Sequence, residues 1–596
     1  MKTPLFLISI LSLMWGCSPQ PKSETPVQSE HDSLMAIFQE ASDFKTREDP
    51  LEASMKGIHE FDHLLPKVSV EDEERRAEFA RSILKKLGAI DRSALNRQDD
   101  ISLQLFTRIT ERTIKKTEFK GYFLEMNADS GFHINLAGIP KNLRLKSPED
   151  YENYLKRLQA IPEYMNQNIA LLLEAMKQGF VQPKVALLGY EKTISAHVTD
   201  DPEKSVFYQP FTNFPSTFTE EEKQRLEKEG REVVMSHAVA GYQTFLDFMV
   251  NTYLPNCRET LGASELPNGK AYYQHLIEHF TTLNLTEDDI HQIGLKEVAR
   301  IRKEMDAIIE EVQFKGDFAA FLQFLRTDSQ FYAKTGEELL MKAAWYAKSM
   351  DAKLPSLFKH LPRQPYGVAP VPDHLAPKYT GGRYVGASLE GTNPGYYWVN
   401  TYNLKSRPLY TQEALTLHEG VPGHHLQIAL SKEMDDLPEF RRGYYSSAFG
   451  EGWGLYSEWL GLEAGFYTNP YNNFGRLTYE MWRACRLVVD TGIHAKGWTR
   501  QQSIDYLASN TALSIHECTT ETDRYISWPG QALSYKMGEI KIKELRKKAE
   551  KDLGQQFDVR EFHHAILKNG AVTLGILEQE VEAYIQEALS PEQANP

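Results

Sequence analysis

The stretch LHEGVPGHHLQ at 417–427 constrains this chain more than any other, because it sets histidines where a helix would carry metal ligands and a proline where that helix cannot continue. In a regular α-helix the pattern His-Glu-x-x-His puts two imidazoles on one face, since four residues turn about 400°. Here Pro422 takes the fourth place after His418, and the next histidines, His424 and His425, come six and seven residues on. On an unbroken helix the sixth residue points about 120° away and lies about 9 Å along the axis, too far for two imidazoles to share one ion. A metal site here therefore requires a deformed helix. Pro422 supplies the cause, because it cannot donate to the carbonyl of His418 and its ring crowds that carbonyl, while Gly420 and Gly423 tolerate unusual backbone angles. A widened turn would swing His424 back towards His418. The plainer alternative is a helix that begins at Pro422 and happens to carry histidines in its first turn.

A second segment bears on that choice. FGEGWGLYSEWLG at 449–461 carries Glu451 and Glu458 seven residues apart, hence on one helical face, with Gly452 and Gly454 leaving room for a neighbouring backbone. Glu451 follows His424 by 27 residues, enough for a second helix to pack back against the first. Its carboxylate would complete a His, His, Glu set with a fourth position left for water. Glu419 would then be an unliganded acid able to take a proton from that water, and Glu458 would hold the far nitrogen of a liganding histidine. Spacing does not choose between His424 and His425, though consecutive helical residues differ by about 100° and both are not expected to bind one ion.

The chain opens with PLFLISILSLMWG followed by Cys17, which reads as a secretory signal over 1–16 ending at a lipidated cysteine. The apolar run is too short to span a bilayer. Ser18 after the cysteine favours the outer membrane, and residues 17–32 are polar and aperiodic, as a tether would be. The remaining 33–596 is long enough for a large core or for two lobes around a cleft. A formal net charge of −15 without an arginine-rich block argues against nucleic acid as a partner. Beyond Cys17, the cysteines Cys257, Cys485 and Cys518 are too few and too scattered for a disulfide framework.

Most of the chain predicts helix. Apolar residues recur at spacings of three and four over 74–90, 147–181, 219–254 and 286–312, with Ser147 and Thr219 as N-caps, and helices return after the histidine stretch through residue 588. From 363 to 403 the texture changes to Gly, Pro and Tyr and ends in the strand-like YYWVNTYN at 396–403. That strand could add to an extended substrate through its backbone, with Tyr397 and Asn400 as substrate contacts, and core packing of its aromatic residues explains the same run equally well. The expected fold class is mainly α, with a small β-sheet at the wall of a cleft. Nucleotide-binding loops and a GxSxG elbow are missing from the sequence.

HEGVPGHHLQ, FGEGWGLYSE, RACRLVVDTGIHAKGW at 483–498 and RYISWPGQALSYKMG at 524–538, in this order, resemble the DUF885 family of bacterial proteins, many of them lipoproteins. PNGKAYY at 267–273 and FHHAILKNGAVTL at 562–574 fit as well. The broader pattern is similar to the helical zinc metallopeptidases of the thimet oligopeptidase and angiotensin-converting-enzyme type. That likeness implies a zincin-like helical body, one Zn²⁺ per chain on His418, His424 and Glu451, and His425 as a neighbour of the site. Two residues are inserted relative to the pattern of those peptidases. The likeness also puts Tyr535 on a channel wall as an oxyanion donor. His494 is a second candidate donor, and Arg524 is a candidate for a peptide carboxylate or for a structural pair with Glu517 or Glu521. The expected activity is zinc-dependent hydrolysis of small peptides. The alternatives are a non-catalytic lipoprotein that binds peptides or another ligand, and an amidase or esterase.

Overall fold

The computed structural model describes residues 29–127, 130–373, 375–387 and 394–590. The signal peptide, Cys17 and the tether up to residue 28 lie outside the described residues. Helix α1 (Glu30–Glu48) begins at an N-cap made by Ser29, so the last residues assigned to the tether already belong to the folded body.

Among the described residues the protein is mainly α with one small open sheet. The elements that matter for the site are α2 (Arg97–Glu118), α3 (Gly269–Thr281), α4 (Glu287–Glu311), strands β1 (Tyr366–Pro370), β2 (Gly382–Val385) and β3 (Gly395–Val399), then α5 (Gln412–Glu419), α6 (His424–Lys432), α7 (Ser447–Leu460), α8 (Pro470–Lys496), α9 (Ile515–Ser527) and α10 (Ser534–Leu553). Ser147 and Thr219 cap their helices as expected, each inside a reciprocal capping box. The helical reading of 147–181 is interrupted at Ala160, because Pro162 begins a new helix there.

The apolar side chains form one large core among the C-terminal helices and a second one within residues 126–257. Helix α8 runs through the first, and every residue from Phe474 to His494 is buried. It nevertheless carries Arg476, Glu480, Arg483, Arg486, Asp490 and His494 at steps of three or four, a polar stripe inside the core. Burying such charges is tolerable only where each finds a partner, and the stripe therefore links α8 to the elements around it. Arg476 lies 3.1 Å from Glu480, Arg486 lies 2.9 Å from Glu521 of α9, and Asp490 accepts from the Tyr273 hydroxyl of α3 at 2.6 Å.

The sheet has the order β1-β3-β2, with β1 parallel and β2 antiparallel to β3. Tyr397 pairs with Val368 on one side and Tyr384 on the other. This corrects the expectation that YYWVNTYN receives a substrate strand: both its edges are taken, and β2 is the outer strand on the side of α5.

Candidate metal centre

Helix α5 ends at Glu419 and α6 begins at His424, so the helix is broken where Pro422 requires it. The Val421–Pro422 peptide is cis. Gly420 and Gly423 both adopt ψ near −126°, and the Gly423 N–H reaches back six residues to the Leu417 carbonyl at 3.0 Å. A Cβ on Gly423 would stand 1.9 Å from the His418 carbonyl oxygen, so only glycine permits this tight return. The turn is pinned from α7 by the indole N–H of Trp453, which donates to the Pro422 carbonyl at 2.8 Å.

The return brings His418 and His424 together with their ring centroids 4.7 Å apart. Glu451 approaches from α7, its Oε2 lying 3.6 Å from Nε2 of His418 and 3.4 Å from Nε2 of His424. Each of the three residues offers a donor atom within 4.8 Å of the others'. The close approach of α7 depends on Gly454, where a Cβ would stand 2.6 Å from His418 Cε1. Glu458, about two turns further along the same face of α7, bonds Nδ1 of His418 at 2.8 Å, which leaves Nε2 facing Glu451. His424 rather than His425 joins the cluster. The His425 ring packs on Tyr366 at 4.4 Å, its Nδ1 lies 3.1 Å from the Tyr384 hydroxyl, and burial lowers its pKa to about 4.

The electrostatics of the cluster favour positive charge between its carboxylates. Burial opposes a charge on His418, yet the carboxylates of Glu451 and Glu458 at its two nitrogens overcome this and raise it to about 10. Burial raises the Glu451 carboxyl, but His424 and His418 outweigh it and hold the group well below the ordinary range. Among the described residues no lysine or arginine pairs with Glu451 or Glu419, although Glu419 is only 8% exposed. Two imidazole nitrogens and a carboxylate oxygen at these distances could hold a metal ion.

Glu419 accepts the main-chain N–H of Tyr384 at 2.7 Å, which ties the acid to the outer strand β2. Tyr445 donates its hydroxyl to Glu451 Oε1 at 2.9 Å. It is 48% exposed, and it lines a cavity of about 2060 Å³ whose wall also includes Arg112, His279, Tyr444 and Trp528. Tyr445 and Tyr384 escape sequence reasoning, since Tyr445 precedes α7 and shares no helical face with Glu451, and Tyr384 acts through its backbone. Arg483 is another omission: it lies 3.6 Å from Glu458, and the i, i+3 and i+4 stripe on α8 is the signal that pointed to it.

The other expected site residues are distributed differently. Tyr535, near the start of α10, is buried beneath Arg486, whose guanidinium lies 4.3 Å from its ring centroid, and it neighbours Tyr445. Arg524 bonds Gln531 at 2.9 Å and lies 3.5 Å from Glu521, the structural pairing weighed for it. His494 is fully buried, with Nδ1 accepting the Ala263 N–H at 3.1 Å and Nε2 facing the Tyr525 carbonyl at 2.9 Å. With both nitrogens spent on main chain, and burial lowering its pKa to about 3, it is placed as a clamp and not as a donor to substrate. Asn400 is likewise consumed, its amide donating to the carbonyls of Ala376, Tyr379 and Thr380. Tyr397 is buried against Gln412 at 2.9 Å. Neither offers a group to a substrate.

The family profile described as "bacterial protein of unknown function (DUF885)" matches residues 50–581. The chain belongs to the DUF885 family. Two solved structures share its fold. The first is "the putative lipoprotein from Colwellia psychrerythraea", with a TM-score of 0.86 and 29% identity over 94% of this chain and 100% of that one. The second is "a putative lipoprotein of unknown function from Shewanella oneidensis", with a TM-score of 0.74 and 17% identity over 93% of this chain and 99% of that one. No curated protein matches this DUF885 chain. Among its described residues no helix is long and apolar enough to cross a membrane.

Proposed function

We propose that this DUF885 protein is an exported, lipid-anchored zinc hydrolase of small peptides, acting on the periplasmic side of the outer membrane or at the cell surface. The anchoring rests on the leader ending at Cys17 and on the two relatives described as lipoproteins. The observation that carries the chemistry is Glu419: a buried carboxylate with no cationic partner among the described residues, adjacent in sequence to a histidine of the His418, His424, Glu451 cluster. These three residues would hold the ion. Zinc bound there would supply Lewis acidity, the property that lets water act as a nucleophile near neutral pH. Glu419 takes the proton from the attacking water and passes it to the leaving amine. The N–H of Tyr384 orients the Glu419 carboxylate through one oxygen and leaves the other to the proton. Glu458 keeps His418 in the tautomer that points Nε2 inward. Tyr445, which bonds Glu451, and its neighbour Tyr535 would offer hydroxyls to a developing oxyanion. A cavity of about 2060 Å³ exceeds the few hundred to about 1000 Å³ that suits a drug-sized ligand and has room for an extended peptide. A helical zincin-like architecture is part of this proposal.

The comparisons carry a second reading further than this one: both relatives are described as lipoproteins and neither as a peptidase. In that reading the cavity binds a peptide or another ligand without turning it over, and the strand contact on Glu419 is structural. Digestion of a mixed peptide library by wild type and by Glu419→Gln, read by mass spectrometry, separates the two. Hydrolysis predicts cleavage by wild type and a loss of roughly 10²–10⁴-fold in the variant, which keeps the shape but removes the base. Retention of a library peptide with no cleavage under any metal or pH condition would favour the binding lipoprotein. Equal cleavage by both proteins would remove Glu419 from the mechanism.

A further inference from the structure

The wall of the large cavity carries many cations, and nearly all of them are neutralised by the protein. Lys45, Lys56, Arg76, Lys116, Arg363 and Arg442 each face a carboxylate. Arg258 and Lys432 are taken up by main-chain carbonyls. Arg112 of α2 is the exception. Its side chain is exposed on the cavity wall, and among the described residues no carboxylate, carbonyl or hydroxyl bonds it. Burial pulls its pKa down, and the nearby Arg108 adds to this, while only the Tyr444 hydroxyl favours the charge. An exposed guanidinium on a cavity wall with no protein partner among the described residues is available to an anion that enters there.

The surroundings of Arg112 suit a carboxylate. Arg108 is turned away, donating to the main-chain carbonyls of Glu278 and His279 at 2.6 and 3.3 Å, so α2 and α3 are locked together beneath the site. His279 and His275 of α3 lie on the same wall with ring centroids 6.5 Å apart. Burial and the two arginines keep both rings neutral, at about 3 and about 4, so each retains one N–H for an anion without adding a charge of its own. Tyr444 faces Arg112 and Arg108, and the next residue, Tyr445, bonds Glu451 of the metal centre. Two consecutive residues, about 3.8 Å apart at their Cα atoms, thus lead from the guanidinium on the cavity wall to Glu451 of the metal centre, which Tyr445 bonds from that wall.

We infer that Arg112, flanked by His275 and His279, receives the free carboxyl terminus of a short peptide and sets its last few residues against the His418, His424, Glu451 centre. This rests on the peptide-handling reading above and adds that the substrate is chosen by its terminal carboxylate, so that short carboxyl-terminal fragments are released.

The test measures binding to the full chain carrying Glu419→Gln, which prevents turnover. Three fluorescently labelled hexapeptides are compared by anisotropy: one with a free carboxyl terminus, its carboxyl-terminal amide, and an amide with glutamate as the last residue. The free acid is expected to bind roughly 10–100-fold more tightly than the plain amide. Adding Arg112→Gln should erase that difference, and Arg112→Lys should restore part of it. Among the described residues Arg112 has no hydrogen-bond or ion-pair partner to lose, so these variants are expected to leave the fold intact. Recovery of tight binding by the glutamate amide would overturn the terminal assignment in favour of an acidic side chain. Equal binding of acid and amide, or a preference that survives Arg112→Gln, would overturn the inference while library cleavage by wild type left the proposed function standing. Failure of all three peptides to bind would overturn it too, and would take the proposed function with it only where wild type also cleaves nothing.

Discussion

Two sets of buried charges sit on helices packed against one another, and they are balanced in opposite ways. Around Lys536 of α10 the charges close on themselves: its ammonium lies 2.9 Å from Glu480, 2.5 Å from Glu539 and 3.0 Å from Glu297. Glu480 is held in turn by Arg476 and Arg300. Burial opposes the charge on Lys536, yet these carboxylates hold its pKa above the usual range. Around His418 the carboxylates of Glu451, Glu458 and Glu419 gather, and among the described residues the one guanidinium paired with them is that of Arg483, 3.6 Å from Glu458. A network that satisfies itself serves the fold; carboxylates converging on two imidazoles are an arrangement that a metal ion could complete. The comparison also explains why the first set gives no handle to function although it holds more charges.

Breaking the closed set should have the largest effect. Lys536→Met strips the central cation and leaves Glu480 and Glu539 buried beside it, so stability should fall by about 3–5 kcal/mol, read as a drop in the urea midpoint. Metal bound per folded chain should not change. The open set should respond in the reverse sense. Glu458→Gln keeps an acceptor for His418 Nδ1 but removes its charge, and metal affinity measured by competition with a chelator should weaken roughly 10–100-fold. The smallest effect belongs to Tyr445→Phe. Its hydroxyl bonds Oε1 of Glu451, whereas Oε2 is the oxygen facing the histidines, so affinity should change by less than about tenfold, or about 1.4 kcal/mol. A large loss of metal in Lys536→Met, or a large loss of stability with unchanged metal affinity in Glu458→Gln, would erase the distinction between the two sets.

How much of this was legible beforehand depended on whether a residue acts through local geometry. Pro422 forbids a helical bond at a known position, so the break between His418 and His424 could be read from the sequence, and Glu451 and Glu458 share a helical face by their spacing alone. Ser147 and Thr219 cap helices through neighbours three residues away, which are equally local. Tyr397, Asn400 and His494 went the other way, because an aromatic strand or a helix-end histidine looks the same whether it lines a cleft or plugs a core. Only the tertiary neighbours, β1 and β2 on both sides of β3 and the Ala263 and Tyr525 main chain around His494, decide between them. The grip of Tyr384 on Glu419 was out of reach for a further reason: it is made by a backbone N–H, which no residue type advertises. Arg112 is invisible in the sequence because what marks it is the lack of a partner, a property of the packed wall alone.

The central claim is that His418, His424 and Glu451 hold a metal ion, and metal analysis of protein purified without chelator tests it most directly. Wild type should carry about one equivalent of zinc per chain. Glu451→Ala, which removes the only carboxylate of the ligand set, should carry far less while its circular dichroism stays that of a helical protein. Equal metal content in wild type and Glu451→Ala would contradict the assignment and leave the cluster a buried hydrogen-bonded network like the one around Lys536.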